Sequence, residues 1–102
     1  MKLFSTLMAV CVFTTLGSSA RAQISPQQIQ QLSNSCTQCH ANPELGAPLM
    51  GDSKHWQRIL SKGEDQVILN VVNGLGSMPP MGYCSSCSEE DLRAIVRLMA
   101  AQ

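Results

Sequence analysis

The sequence predicts an all-α fold, and three observations carry that expectation. Leu92, Ile95, Val96 and Met99 recur at the i, i+3, i+4, i+7 spacing of a helix with one buried face. The segments between the candidate helices are rich in Gly and Pro. No run alternates apolar and polar residues for long enough to argue for a sheet.

The first 22 residues read as a secretory signal rather than as part of the domain. Lys2 gives a positive start, Leu3 to Leu16 form an apolar stretch broken by small hydroxyl residues, and Ala20-Arg21-Ala22 has the small-x-small pattern of a cleavage site. The expected domain is therefore 23–102, a soluble periplasmic protein, since no later stretch is long enough to span a bilayer. Losing Lys2 and Arg21 leaves five basic residues against seven acidic ones, a net charge of −2. That balance gives no support to nucleic-acid binding, which uses a clustered basic face, or to stable membrane insertion.

Ser25 with Pro26 after it reads as a helix start, and Ile29, Leu32 and Cys36 then share a face. A loop is expected from Ala41 to Gly51. Asp52 or Ser53 caps a short helix carrying Trp56, Ile59 and Leu60, which Gly63 ends. The next helix is expected over Glu64 to Val72 with Val67, Ile68, Val71 and Val72 inward, and Asn73-Gly74 stops it. From Gly74 to Cys87 the composition is that of a constrained loop, stiffened by Pro79 and Pro80. Ser88-Glu89-Glu90-Asp91 is a capping-box-like start to the last helix.

Eighty residues with few aromatics make a small core, because short chains bury too little of their unfolded surface. Something else must be buried, and the cysteines indicate what. Cys11 leaves with the signal, and the other four form two C-x-x-C pairs. Cys36-Thr37-Gln38-Cys39-His40 is the haem-attachment pattern: two thiols spaced to add across the vinyl groups of one porphyrin edge, and an adjacent imidazole for the iron. The competing use of such a pair is a redox or zinc site with an incidental histidine.

A second axial ligand has to come from elsewhere. Met99 lies on the apolar face of the last helix and Met50 stands beside Leu49, so both suit packing. Met78 and Met81 lie in the proline-stiffened loop, a holder for a soft thioether. Met78 precedes Pro79 and is biased toward an extended backbone, whereas Met81 is followed by a chain turning toward Cys84. His55 is the imidazole alternative, in an expected exposed first turn. Cys84-Ser85-Ser86-Cys87 has Ser88 where a haem site would need histidine, so a disulfide is its simplest use outside the cytoplasm. A four-cysteine zinc site using both pairs is the alternative.

On these residues the sequence resembles class I cytochrome c, and within it the short bacterial c-five type. The likeness runs through the haem motif, Gly46-Ala47-Pro48, Gly51-Asp52 with Trp56, and Gly76-Ser77-Met78-Pro79-Pro80 leading to Cys84 and Cys87. It implies about four short helices wrapped around one covalently bound haem c, with Cys36, Cys39, His40 and Met78 as the cofactor-binding residues and His40 and Met78 as the iron ligands. It further implies that the Pro48 carbonyl accepts a hydrogen bond from His40, that Trp56 packs near a propionate, and that Cys84 and Cys87 are disulfide-bonded. Ile29 and Leu32 would be buried against Leu92, Ile95 and Met99. The implied function is a one-electron carrier, not an enzyme, working between membrane or periplasmic electron donors and terminal oxidases or reductases. The alternative is a haem-based peroxidase or gas sensor with an open distal position.

Overall fold

A computed structural model describes residues 10–12, 17 and 23–101. The expected signal segment, 1–22, lies outside the described residues but for 10–12 and 17. Among the described residues five α-helices run in order: α1 (Pro26–Gln31), α2 (Thr37–His40), α3 (Ser53–Leu60), α4 (Glu64–Asn73) and α5 (Glu89–Ala100). Among the described residues the one β feature is an isolated bridge between Leu75 and Met78.

α1 begins as the sequence predicts. The Ser25 hydroxyl accepts from the Gln28 amide, and the Gln28 side chain accepts from the Ser25 amide, a reciprocal capping box with Pro26 at the first helical position. Beyond Gln31 the chain departs from the expected regular helix. A π turn over Leu32–Cys36 joins α1 to α2, with the Thr37 amide reaching back to the Leu32 carbonyl. Its cause is local side-chain competition. The Ser33 hydroxyl donates to the Ile29 carbonyl at 2.9 Å, the Thr37 hydroxyl to Ser33 at 3.0 Å, and the Gln38 amide to Asn34 at 3.1 Å. These polar groups take carbonyls that the α pattern would use. π turns are rare and recur at functional sites, and this one ends on Cys36, within the turn before Cys39 and His40.

The face α1 turns inward also differs from expectation. Ile29 is 40% exposed, and Gln31 beside Leu32 is buried instead. Gln31 is kept there by bonds from its Nε2 to the Ser86 carbonyl and to Asp91, and Gln28 adds a 3.0 Å bond to Asp91. Asp91 is also the reciprocal partner of the Ser88 cap, so one carboxylate ties α1 to the start of α5. These bonds hold its pKa down to about 2, the Ser88 amide contributing most and Gln28 next.

α3 is capped by Asp52, whose side chain accepts from the His55 amide. It ends at Leu60 rather than at Gly63, and Gly63 instead opens α4 with φ of +95°. In α4, Val67 and Ile68 are buried and Val71 packs against the core, but Val72, expected inward, is 38% exposed. All four periodic residues of α5, Leu92, Ile95, Val96 and Met99, are buried, as the spacing predicts. Each contributes about 1.5–3 kcal/mol by leaving water. Glu64 at the start of α4 accepts from Arg93 and Arg97 of α5 at 2.7–3.0 Å, and Arg93 also reaches Asp65 and Glu89.

Candidate functional site

A cavity of about 520 Å³ opens between α2, α3, α4, α5 and the 74–83 loop, a size ordinary for a small-molecule site. Cys36, Cys39, His40, Met78 and Met81, from opposite ends of the sequence, all line it. So do Leu92, Ile95, Val96 and Met99, so the buried face of α5 serves as both core and cavity wall.

His40 is buried and its orientation is set by the segment after the first loop. Its Nδ1 lies 2.7 Å from the Pro48 carbonyl oxygen. A carbonyl can only accept, so Nδ1 carries the proton and Nε2 keeps a lone pair for a metal. The next residues repeat this fastening. The Leu49 carbonyl accepts from Trp56 Nε1 at 2.9 Å, the Met50 amide donates to the His40 carbonyl at 2.7 Å, and the Gly51 amide donates to the Met99 carbonyl at 2.9 Å. Four consecutive residues, 48–51, thereby fix the histidine, the tryptophan and the end of α5 together. Trp56 is buried with its ring 5.9 Å from the His40 ring. Cys36 and Cys39 are free thiols, and burial pushes the Cys36 thiol's pKa up.

On the other side the 74–83 loop is shaped by paired backbone bonds. The Leu75 amide donates to Met78 at 3.1 Å and the Met78 amide returns to Leu75 at 2.9 Å. Pro80–Tyr83 forms a 3₁₀ turn in place of irregular loop, with left-handed φ at Met81 (61°), Gly82 (56°) and Tyr83 (64°). Such values are strained in residues other than glycine and gather at functional sites. Met81 packs against the core as well as lining the cavity, while the Met78 methyl lies against Gly82, 3.4 Å from where a Cβ would stand.

The remaining candidates fall outside the cavity. His55 is half-buried on α3 and does not line it. Cys84 and Cys87 are joined by a disulfide, buried in the core, and neither lines the cavity. The zinc alternative does not assemble: among the described residues no cluster of three or more His, Cys, Asp or Glu side chains is gathered.

The residues fit a flat, apolar macrocycle with a central metal. The cavity is largely hydrocarbon, offers two thiols and an imidazole lone pair from one segment, and presents thioethers from another.

Comparison with known proteins agrees. The family described as cytochrome c oxidase, cbb3-type, subunit III matches residues 25–99. Cytochrome c5 of Ectopseudomonas mendocina is 34% identical over 67 residues, covering 64% of this chain and 77% of the relative. Cytochrome c5 of Azotobacter vinelandii is 39% identical over 67 residues, covering 64% and 81%. A chain in a solved structure described as an electron transfer complex of nitrite reductase with cytochrome c superposes with a TM-score of 0.67 at 34% identity, covering 78% of this chain and 96% of that one. The chain therefore belongs to the class I c-type cytochromes and is c5-like within them. It is a c-type cytochrome electron carrier with one covalently bound haem c. Among the described residues, no helix is long and apolar enough to cross a membrane.

Proposed function

We propose that this chain is exported, loses residues 1–22, and works in the periplasm as a one-electron carrier between membrane or periplasmic electron donors and terminal oxidases or reductases. Cys36 and Cys39 bind the haem through thioethers, His40 supplies the proximal nitrogen, and Met78 supplies the distal sulfur. The bound haem supplies a reversible one-electron couple at its iron.

The observation that carries this reading is the convergence of two thiols, one oriented imidazole and the Met78 thioether on one apolar cavity. The Pro48 carbonyl holds His40 in the tautomer that leaves Nε2 basic. The Leu75–Met78 pairing and the two prolines fix the backbone from which the thioether projects. A preset ligand pair keeps rearrangement small when the charge on the site changes, and a thioether favours the reduced metal and raises the potential. Met81 also lines the cavity, and the choice of Met78 follows the family resemblance and its place before Pro79, which biases its backbone toward an extended conformation. Cys84 and Cys87 remain oxidised to each other in the exported protein and anchor the far end of the methionine loop to the Ser88 cap.

The test is the absorption spectrum of the ferric protein purified from a host with haem-attachment machinery. A methionine-to-iron charge-transfer band is expected. A five-coordinate or water-ligated spectrum would instead support a peroxidase or gas sensor.

A further inference from the structure

We propose that Lys62 is the counter-ion of a haem propionate and thereby helps set the reduction potential of the site. The assignment rests on the haem binding proposed for this cavity.

Among the described residues that line the cavity, Lys62 is the one with an always-charged side chain at neutral pH; the other polar lining groups, such as Gln38, Asn70 and Ser77, are neutral. A haem carries two carboxylates on the porphyrin edge away from the thioether-bearing one, and carboxylates brought against a largely apolar wall need a donor or a cation. Trp56, which the resemblance places near a propionate, does not offer its N–H, because that group already donates to the Leu49 carbonyl at 2.9 Å.

Among the described residues Lys62 also has no salt-bridge partner. The acidic residues just after it in sequence are committed to α5: Glu64 to Arg93 and Arg97, Asp65 to Arg93. Among the described residues no carboxylate lies within salt-bridge distance of Lys62, Arg58 or Lys54. Of these three cations, spaced four residues apart, only Lys62 lines the cavity. The α3–α4 connection thus brings one lysine with no salt-bridge partner among the described residues to the cavity wall. An ammonium beside a propionate offsets negative charge near the iron and favours the reduced state. Because Lys62 is exposed, solvent screens the pair and its effect is modest.

The experiment is spectroelectrochemical titration of the purified holoprotein and three variants at one pH and ionic strength. Lys62→Gln is expected to lower the midpoint potential, and Lys62→Arg to keep it near the parent value. Lys54→Gln removes the same charge from the same region of the chain but away from the cavity, and is expected to leave the potential unchanged. The ferric charge-transfer band is recorded for each, and its retention in Lys62→Gln separates a counter-ion from a loss of ligation. An unchanged potential in Lys62→Gln, an equal shift in Lys54→Gln, or loss of the band would overturn the proposal. A parent protein without bound haem would instead overturn the reading beneath it.

Discussion

Gly74→Ala is expected to disturb the distal side of the site from a position that carries no ligand. Gly74 has φ of +81° and ψ of 157°, a region that essentially only glycine occupies. An added Cβ would meet the Met78 carbonyl oxygen at 2.8 Å, Pro80 N at 3.0 Å and the Pro79 carbonyl carbon at 3.2 Å. All three are backbone atoms in a proline-stiffened segment and cannot rotate away, so the Met78–Pro80 strand must retreat by about 0.6 Å to reach ordinary contact. Gly63 is the matched control. Its dihedrals, +95° and 140°, lie in the same region, but nothing stands within 4 Å of its would-be Cβ. Gly63→Ala should cost only the dihedral strain, about 1–3 kcal/mol. Gly74→Ala should cost a further 1–3 kcal/mol, roughly, for overpacking, and should weaken the ferric methionine–iron band. Denaturant unfolding and the ferric spectrum of both variants are the assay. Equal destabilisation, with the band intact in both, would refute the claim that Gly74 sets the position of Met78.

Met78→Ala should abolish the ferric band, lower the reduction potential and admit exogenous ligands, whereas Met81→Ala should leave the band in place; the reverse pattern, read in the same spectra, would move the ligand to Met81. Replacing Cys84 and Cys87 together by Ser should lower stability by about 2 kcal/mol, the chain-entropy value for so short a loop, while the haem spectrum persists. Asp91, depressed from 3.8 to about 2 in the folded state, favours folding while ionised, so its contribution is complete above about pH 4 and is lost as pH falls through about 2. Asp91→Asn should therefore be less stable than the parent at neutral pH, with the gap closing between pH 4 and pH 2 in acid unfolding curves.

How legible each part of this architecture is depends on the kind of signal it carries. α5 can be read from the sequence because its cap, its apolar spacing and its burial all point the same way. Val72 is expected inward on apolar spacing and Ile29 on the family resemblance, yet they are 38% and 40% exposed. Gln31 holds the inward place in α1 because the Ser86 carbonyl and Asp91 accept from its Nε2, an arrangement apolar periodicity cannot register. The π turn arises from the Ser33, Thr37 and Gln38 side chains acting together, a weak pattern when read residue by residue. Proline and glycine mark the 74–83 segment as constrained, but the 3₁₀ turn and the left-handed Met81 and Tyr83 depend on what the loop packs against. The His40–Pro48 bond uses a backbone carbonyl, which leaves no mark in side-chain chemistry; the family resemblance implies it. Lys62 reaches the cavity through the α3–α4 connection, a juxtaposition that no local pattern encodes.

The central claim is that one haem is held covalently by the first cysteine pair of an exported chain. Its most direct test is intact-mass and peptide analysis of the protein recovered from the periplasm of a host with haem-attachment machinery, after acid–acetone extraction. The predicted result is a chain beginning at Gln23 that carries the mass of one haem, with the haem on the peptide containing Cys36 and Cys39 and with Cys84 and Cys87 linked to each other. A haem on the Cys84–Cys87 peptide, or a chain stripped of haem by the extraction, would contradict it.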